Sequence, residues 1–193
     1  KAWEICEKYE LPRMIFVTNM DDDHASYREL VLKLETRFGR KIAPFQLPIR
    51  ENEKFVGFVN VVKMEGRRFT NLSDYEECEI PEYSKKNLGI AREALMEAVA
   101  ETSEEYMERY FSGEEFTYEE ISSALREHVI EGNIVPVMLG SGINGQGAKM
   151  LLQAVDRYFP APDRYECIGV DVSTGERFVD KYNDEVSVSV KVF

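Results

Sequence analysis

Residues 13–23 read RMIFVTNMDDD, an apolar run that surfaces through two small polar residues into three carboxylates. The RMIFV part has no polar alternation, the pattern of a strand covered on both faces. An acidic cluster at such a strand end has two physical uses. It can charge and cap the start of the next helix, or it can accept hydrogen bonds from a ligand held at the sheet edge. Taken alone, TNMD is common and the capping reading is the simpler one. A second stretch has the same form: IVPVML at 134–139 is again a doubly buried strand, and GSGINGQG at 140–147 is again a loop rich in small residues. Helices follow both loops, so the spacing predicts a mainly parallel sheet with both loops at its carboxyl edge, where such sheets bind ligands.

In that setting Asp21 can accept two hydrogen bonds from guanine, one from the ring N–H and one from the exocyclic amine. Adenine cannot make that pair, and an unpaired buried carboxylate disfavours the wrong base by roughly 2 to 5 kcal/mol. A backbone N–H of the Ser141–Gly142 turn would meet the base carbonyl, with Ile143 and Asn19 flanking the ring faces.

Composition sets the outer bounds. The 193 residues suffice for one domain or two small ones, and 44% hydrophobic content suits a globular chain. No apolar stretch approaches bilayer length, and the first residues carry no signal-peptide pattern. Cys6, Cys78 and Cys167 are odd in number and form no CxxC, which speaks against a disulfide framework or a zinc site and makes a reducing cytoplasm the default. The net charge of −12 is unevenly placed: residues 74–131 carry 17 acids against 5 bases, a balance of −12, so the remainder is neutral. That segment would repel a phosphate backbone. A solvated helical face explains the charge most simply, and a basic protein partner is the sharper alternative.

Working outward, Trp3, Cys6 and Tyr9 keep a helical spacing that LP at 11–12 ends. A helix from about Asp23 places Tyr27, Leu30, Val31, Leu34 and Phe38 on one face, with Gly39 at its C-terminus. Then IAPFQLPI (42–49), FVGFVNVVKM (55–64) and RRFT (67–70) read as strands, with turns at ENEK and EG. Helices return from about Glu82 to Glu101 with Leu88, Ala91, Leu95 and Val99 inward. Thr102 with Glu105 and Thr117 with Glu120 read as capping boxes, opening helices that bury Tyr106 and Tyr110, then Ile121, Leu125 and Val129. A helix on Leu151, Leu152, Val155 and Phe159 stops at Pro160. ECIGVDV, GERFVDKY and EVSVSVKVF in the tail read as strands, the last running to Phe193, so the chain reads as a fragment at both ends.

RMIFVTNMD, FQLPI, GFVNVVKM, the long acidic helices and NIVPVMLGSGINGQGAKMLLQAVDRYFPAP together, in order, resemble elongation factor G. The likeness is to the second half of its GTPase domain with the inserted G prime subdomain, and DEVSVSVKVF resembles the first strand of the β-barrel domain that follows. The resemblance implies an α/β fold: a partial, Rossmann-like P-loop GTPase sheet with an inserted α+β subdomain and a trailing β segment. Residues 1–39 and 132–160 would be the GTPase part, 40–131 the insertion and 161–193 the linker and next domain. It implies that Thr18–Asn19–Met20–Asp21 stands at the family's Asn-Lys-x-Asp guanine motif and Ser141–Gly142–Ile143 at its Ser-Ala-x motif. It further implies GTP or GDP as cofactor, magnesium in the parent protein, the ribosome as partner, and a stalk protein meeting the acidic helices.

Two departures matter. Thr18 replaces an Asn whose amide braces neighbouring loops, and Asn19 replaces a Lys whose stem lies over the base. Guanine selectivity through Asp21 is retained, with affinity lowered by about 1 to 3 kcal/mol if two supporting contacts are lost. Gly142 for Ala is harmless, because the contact there is a backbone N–H. The phosphate loop G-x-x-x-x-G-K-[ST] does not occur in these residues, since Lys149 is followed by Met150. In this family the magnesium ligands and the water-positioning loop also lie upstream, so no catalytic residue is assigned here, and this chain alone is expected neither to bind GTP tightly nor to hydrolyse it. Asp21–Asp22–Asp23–His24 lacks the alternation and Gly of a calcium loop. GSGINGQG lacks the G-x-G-x-x-G spacing of a dinucleotide site. His24 and His128 have no nucleophile partner and read as surface or helix-edge residues. Two rival functions remain: a ribosomal protection protein of the same class, and a ribosome- or protein-binding module without nucleotide.

Overall fold

The computed structural model describes residues 1–22, 26–39, 41–71, 74–161, 164 and 166–180. The chain divides into two units, Lys1–Phe159 and Pro160–Phe193. In the first, a short helix α1 (Ala2–Lys8) precedes strand β1 (Ile15–Val17) and helix α2 (Tyr27–Phe38). Ser26 caps α2 by accepting from Glu29 N, and Gly39 closes it at φ +85°, as its C-terminal place requires. Trp3 stacks on Phe38 with ring centroids 4.0 Å apart, which ties α1 to the end of α2.

Strand β2 (Ile42–Pro44) and β1 both pair in parallel with β7 (Val135–Leu139), giving a three-stranded sheet in the order β1-β7-β2. All five residues of β7 are buried, which accounts for its unbroken apolar run. The stretch 42–49 is therefore not one strand. It breaks at Phe45, and β3 (Gln46–Glu51) begins a separate antiparallel sheet with β4 (Lys54–Asn60), β5 (Glu65–Phe69) and β6 (Tyr75–Cys78). Phe45 sits at the fork: its N–H donates to Val137 O at 3.0 Å and its carbonyl accepts from Val61 N at 3.0 Å.

Gln46, 3% exposed, fixes the same fork from its side chain. Its Oε1 accepts the N–H of buried Leu139 at 3.1 Å, while its carbonyl accepts from the Tyr27 hydroxyl at 2.9 Å. Gln46→Leu strands the Leu139 N–H in an apolar setting, and we expect a loss of about 1 to 3 kcal/mol, read as a lower denaturant midpoint at unchanged slope.

The turn after β4 covers residues 61–64 rather than 65–66, because the Asn60 side chain accepts from Lys63 N at 2.9 Å. Val61 and Val62 are buried within that turn, so they imitate a longer strand in the sequence.

Helices α3 (Glu82–Ala100), α4 (Glu104–Ser112) and α5 (Tyr118–Ile130) follow. Leu88, Leu95 and Val99 of α3 and Ile121, Leu125 and Val129 of α5 are buried as the spacing predicts, while Ala91 is half-buried. His128 is buried rather than at the surface. Its Nε2 lies 2.7 Å from Ala98 O and so ties α5 to α3.

The first capping box is absent. Ser103, in an extended conformation, caps α4 by accepting from Tyr106 N at 3.1 Å, and the Thr102 hydroxyl donates back to Val99 O at 2.6 Å. Tyr106 and Tyr110 are half-buried, and α4 has no fully buried residue. The second box is complete: Glu120 N donates to Thr117 Oγ1, and Glu120 accepts from Thr117 N at 2.7 Å.

Arg109 also bonds Glu120, at 2.7 Å, and with the Thr117 N–H it holds this carboxyl down at about 2 from an ordinary 4.5. A depressed carboxyl contributes its stability above the unfolded value and loses it as the pH falls through the folded one. Melting temperature should therefore fall between pH 4.5 and about 2 more steeply in the wild type than in Glu120→Gln, which has no charge to lose. Equal slopes would refute this.

Helix α6 (Ala148–Tyr158) buries Met150, Ala154 and Tyr158, while Leu152 and Val155 of the expected face are exposed. The inward stripe is rotated because Tyr158 packs edge-on to Phe45 at 5.2 Å and Ala154 lets the helix approach. The second unit is described by a hairpin, β8 (Cys167–Val170) with β9 (Arg177–Asp180). Its turn is held by Asp171, which accepts from Ser173 N and Thr174 N. The expected strand over DEVSVSVKVF lies outside the described residues.

Candidate functional site

Parallel pairing of Val17 with Leu139 brings both polar loops to one edge of the sheet. The loops are sewn together at Gly140, whose N–H donates to Val17 O at 2.9 Å and whose carbonyl accepts from Met20 N at 3.1 Å. Met20 is fully buried beneath them. Thr18, Asn19 and Asp21 therefore stand beside Ser141, Gly142 and Ile143, as the two matching strand–loop patterns imply.

The first loop turns sharply. Asn19 adopts φ +59°, a conformation Asn tolerates better than most residues, and its carbonyl accepts from Asp22 N at 3.1 Å. Asp21 is half-buried, and its Oδ1 is fully covered with no hydrogen-bond partner among the described residues. A covered carboxylate oxygen without a donor is costly unless a ligand supplies one. This is the observation by which the site fits a guanine edge.

In the second loop, buried Ser141 donates its N–H to Gln146 O at 2.8 Å and accepts from Asn144 N on Oγ at 3.2 Å. The Ser141 N–H is thus engaged inside the loop, which leaves the Gly142 N–H as the donor of the Ser141–Gly142 turn for a base carbonyl. A methyl group built on Gly142 meets nothing within 4 Å, so Ala fits there without strain. Ile143 is 84% exposed and free to cover a ring face. Gln146 Oε1 is a second covered acceptor without a partner, which the motif reading did not single out.

Arg50 is the other residue that sequence reasoning missed. From β3 its guanidinium reaches 28 to 30 residues back to the first loop, donating to Met20 O at 2.8 Å and Asp22 O at 3.2 Å. No local spacing signals such a brace. The two departures are also visible. Thr18 and Asn19 are exposed, and among the described residues the Thr18 hydroxyl makes no hydrogen bond to the second loop.

Lys149 is committed elsewhere, to Asp74 at 2.6 Å. Asp23 and His24 lie outside the described residues. Among those described, no group of three His, Cys, Asp or Glu could hold a metal ion. No described helix is long and apolar enough to cross a membrane.

The fold is that of a partial, Rossmann-like GTPase domain. Residues 1–161 match the family model of the elongation factor Tu GTP binding domain, and the chain belongs to that family of translational GTPases. Among solved structures, a crystal structure of a Thermus thermophilus protein matches with a TM-score of 0.76 and 31% identity over 92% of this chain. The chain spans 28% of that protein's length.

Proposed function

We propose that the parent protein is a translational GTPase of the elongation factor G type, which uses GTP to drive the movement of tRNA and messenger RNA on the ribosome in the cytoplasm. In this reading Asp21 reads the guanine edge, the Gly142 N–H meets the base carbonyl, and Asn19 and Ile143 flank the ring. The covered, partnerless Oδ1 of Asp21 at the junction of the two loops carries the assignment. Phosphate and magnesium contacts come from outside this chain. When bound, the metal neutralises the phosphates; these residues supply base recognition only. Residues 40–131 form the inserted subdomain, and an acidic face on α3 or α5 suits a basic partner such as a ribosomal stalk protein.

A second reading, a ribosome-binding module that no longer takes nucleotide, is favoured by Thr18 and Asn19, which leave the base without an amide brace or a lysine stem. Competition of GDP against ADP on the full-length protein, followed with a fluorescent guanine nucleotide, separates the two. Displacement by GDP and not by ADP supports the GTPase. No binding of either at millimolar concentration leaves the module.

A further inference from the structure

We propose that a second ligand site lies in the cleft between α5, α6 and the antiparallel sheet, and that it takes a small polyvalent oxyanion of the condensed-phosphate class. The cleft has a volume of about 660 Å³. Four cations line it, Lys63, Arg67, Arg126 and Arg157, against one carboxylate, Asp156. That excess of positive charge stands in a chain whose net charge is −12.

Of the four, Arg67 is paired with Glu65. Among the described residues, Lys63, Arg126 and Arg157 have no carboxylate within ion-pair distance. Arg126 donates only to carbonyls, Arg157 O at 3.0 Å and Phe159 O at 3.4 Å. Arg157 reaches Ser122 Oγ at a long 3.4 Å. Lys63 and Arg157 both lie against the Tyr118 ring, 4.9 and 5.4 Å from its centroid, which gathers two like charges around one side chain. Arg67 is 9% exposed. Its Nη1 bonds the Tyr75 hydroxyl and its Nη2 bonds Glu65, while its Nε is covered and without a partner.

Cations held this close repel one another, and a multiply charged anion between them removes that cost. Guanidinium forks match the paired oxygens of phosphate. The volume is that of a small-molecule site, larger than one phosphate ion needs, and leaves room for a chain of two or three phosphates.

The site is separate from the base-reading loops, so the two can be tested apart. Calorimetric titration of inorganic tripolyphosphate into the protein, at fixed ionic strength set with sodium chloride, should show one site. Lys63→Gln/Arg157→Gln, both exposed side chains, should weaken it at least tenfold, and Asp21→Asn should leave it unchanged. Should the double variant not fold, Lys63→Gln alone, at an exposed side chain, should weaken it at least threefold. Absence of binding to the wild type, binding indifferent to these substitutions, or its loss in Asp21→Asn overturns the proposal.

Discussion

In the full-length protein, Asp21→Asn should weaken GDP binding by about 2 to 5 kcal/mol, roughly 30- to 5,000-fold, while improving binding of xanthosine diphosphate. The carboxylate offers acceptors to both the ring N–H and the amine of guanine. Asparagine offers one acceptor and sets an N–H₂ against the other guanine donor, leaving two donors facing each other. Xanthine carries a carbonyl where guanine has its amine, so the Asn amide can donate to it. The geometry that makes this sharp is the cover over Asp21 Oδ1, which has no partner among the described residues to fall back on. Titrations with fluorescent GDP and its xanthine analogue check it. If the variant keeps wild-type GDP affinity, Asp21 is a turn residue and a helix-start charge, and nothing more.

Gly140→Ala should cost about 2 to 4 kcal/mol and abolish nucleotide binding with it. A methyl at that position would stand 2.3 Å from Gln146 O and 2.6 Å from Phe16 Cζ. The first neighbour is backbone, so the second loop itself must move. Moving it disturbs the two hydrogen bonds by which Gly140 joins Val17 and Met20. Gly142→Ala, in the same loop, meets no atom and serves as the matched control with wild-type stability and binding. Thermal unfolding of both variants, with and without GDP, reads stability and site together. A Gly140→Ala protein as stable as its control would mean that the loops are not locked as described.

The parts legible in the sequence were those whose cause is local. The unbroken apolar runs at 13–17 and 134–139 marked two covered strands, and their matching loops located the sheet edge. Thr117 and Glu120 announced a helix start through contacts three residues apart. The misreadings have causes that act across the chain. Phe45 divides one apolar stretch between two sheets because its backbone bonds go to Val137 and Val61, neither visible from residues 42–49. Strand β6, with exposed Glu76 and Glu77 between half-buried neighbours, has too little apolar signal and exists by pairing with β5. On α6 the aliphatic residues suggested a face, but the packing partner is Phe45, and it selects Tyr158 and Ala154 instead. Thr102 and Ser103 are equally good caps on paper, and the choice between them was made where α3 ends. At the sheet edge, the meeting of the two loops was readable while Arg50 was not, because its reach to Met20 and Asp22 depends on where β3 lies in space.

The central strand β7 begins more than 90 residues after β2 and 118 after the end of β1, yet it pairs with both. Its neighbours have no other parallel partner among the described residues, whereas β3 to β6 form successive antiparallel pairs joined by short connections. Closing the longer loops is entropically slower than zipping the local ladder. In a refolding experiment, pulsed hydrogen exchange should therefore protect the amides of β4 and β5 before those of Val137 and Leu139. The edge that carries both polar loops would then appear only when β7 lands, late and all at once, so that the two loops meet only in a molecule whose sheet has already formed.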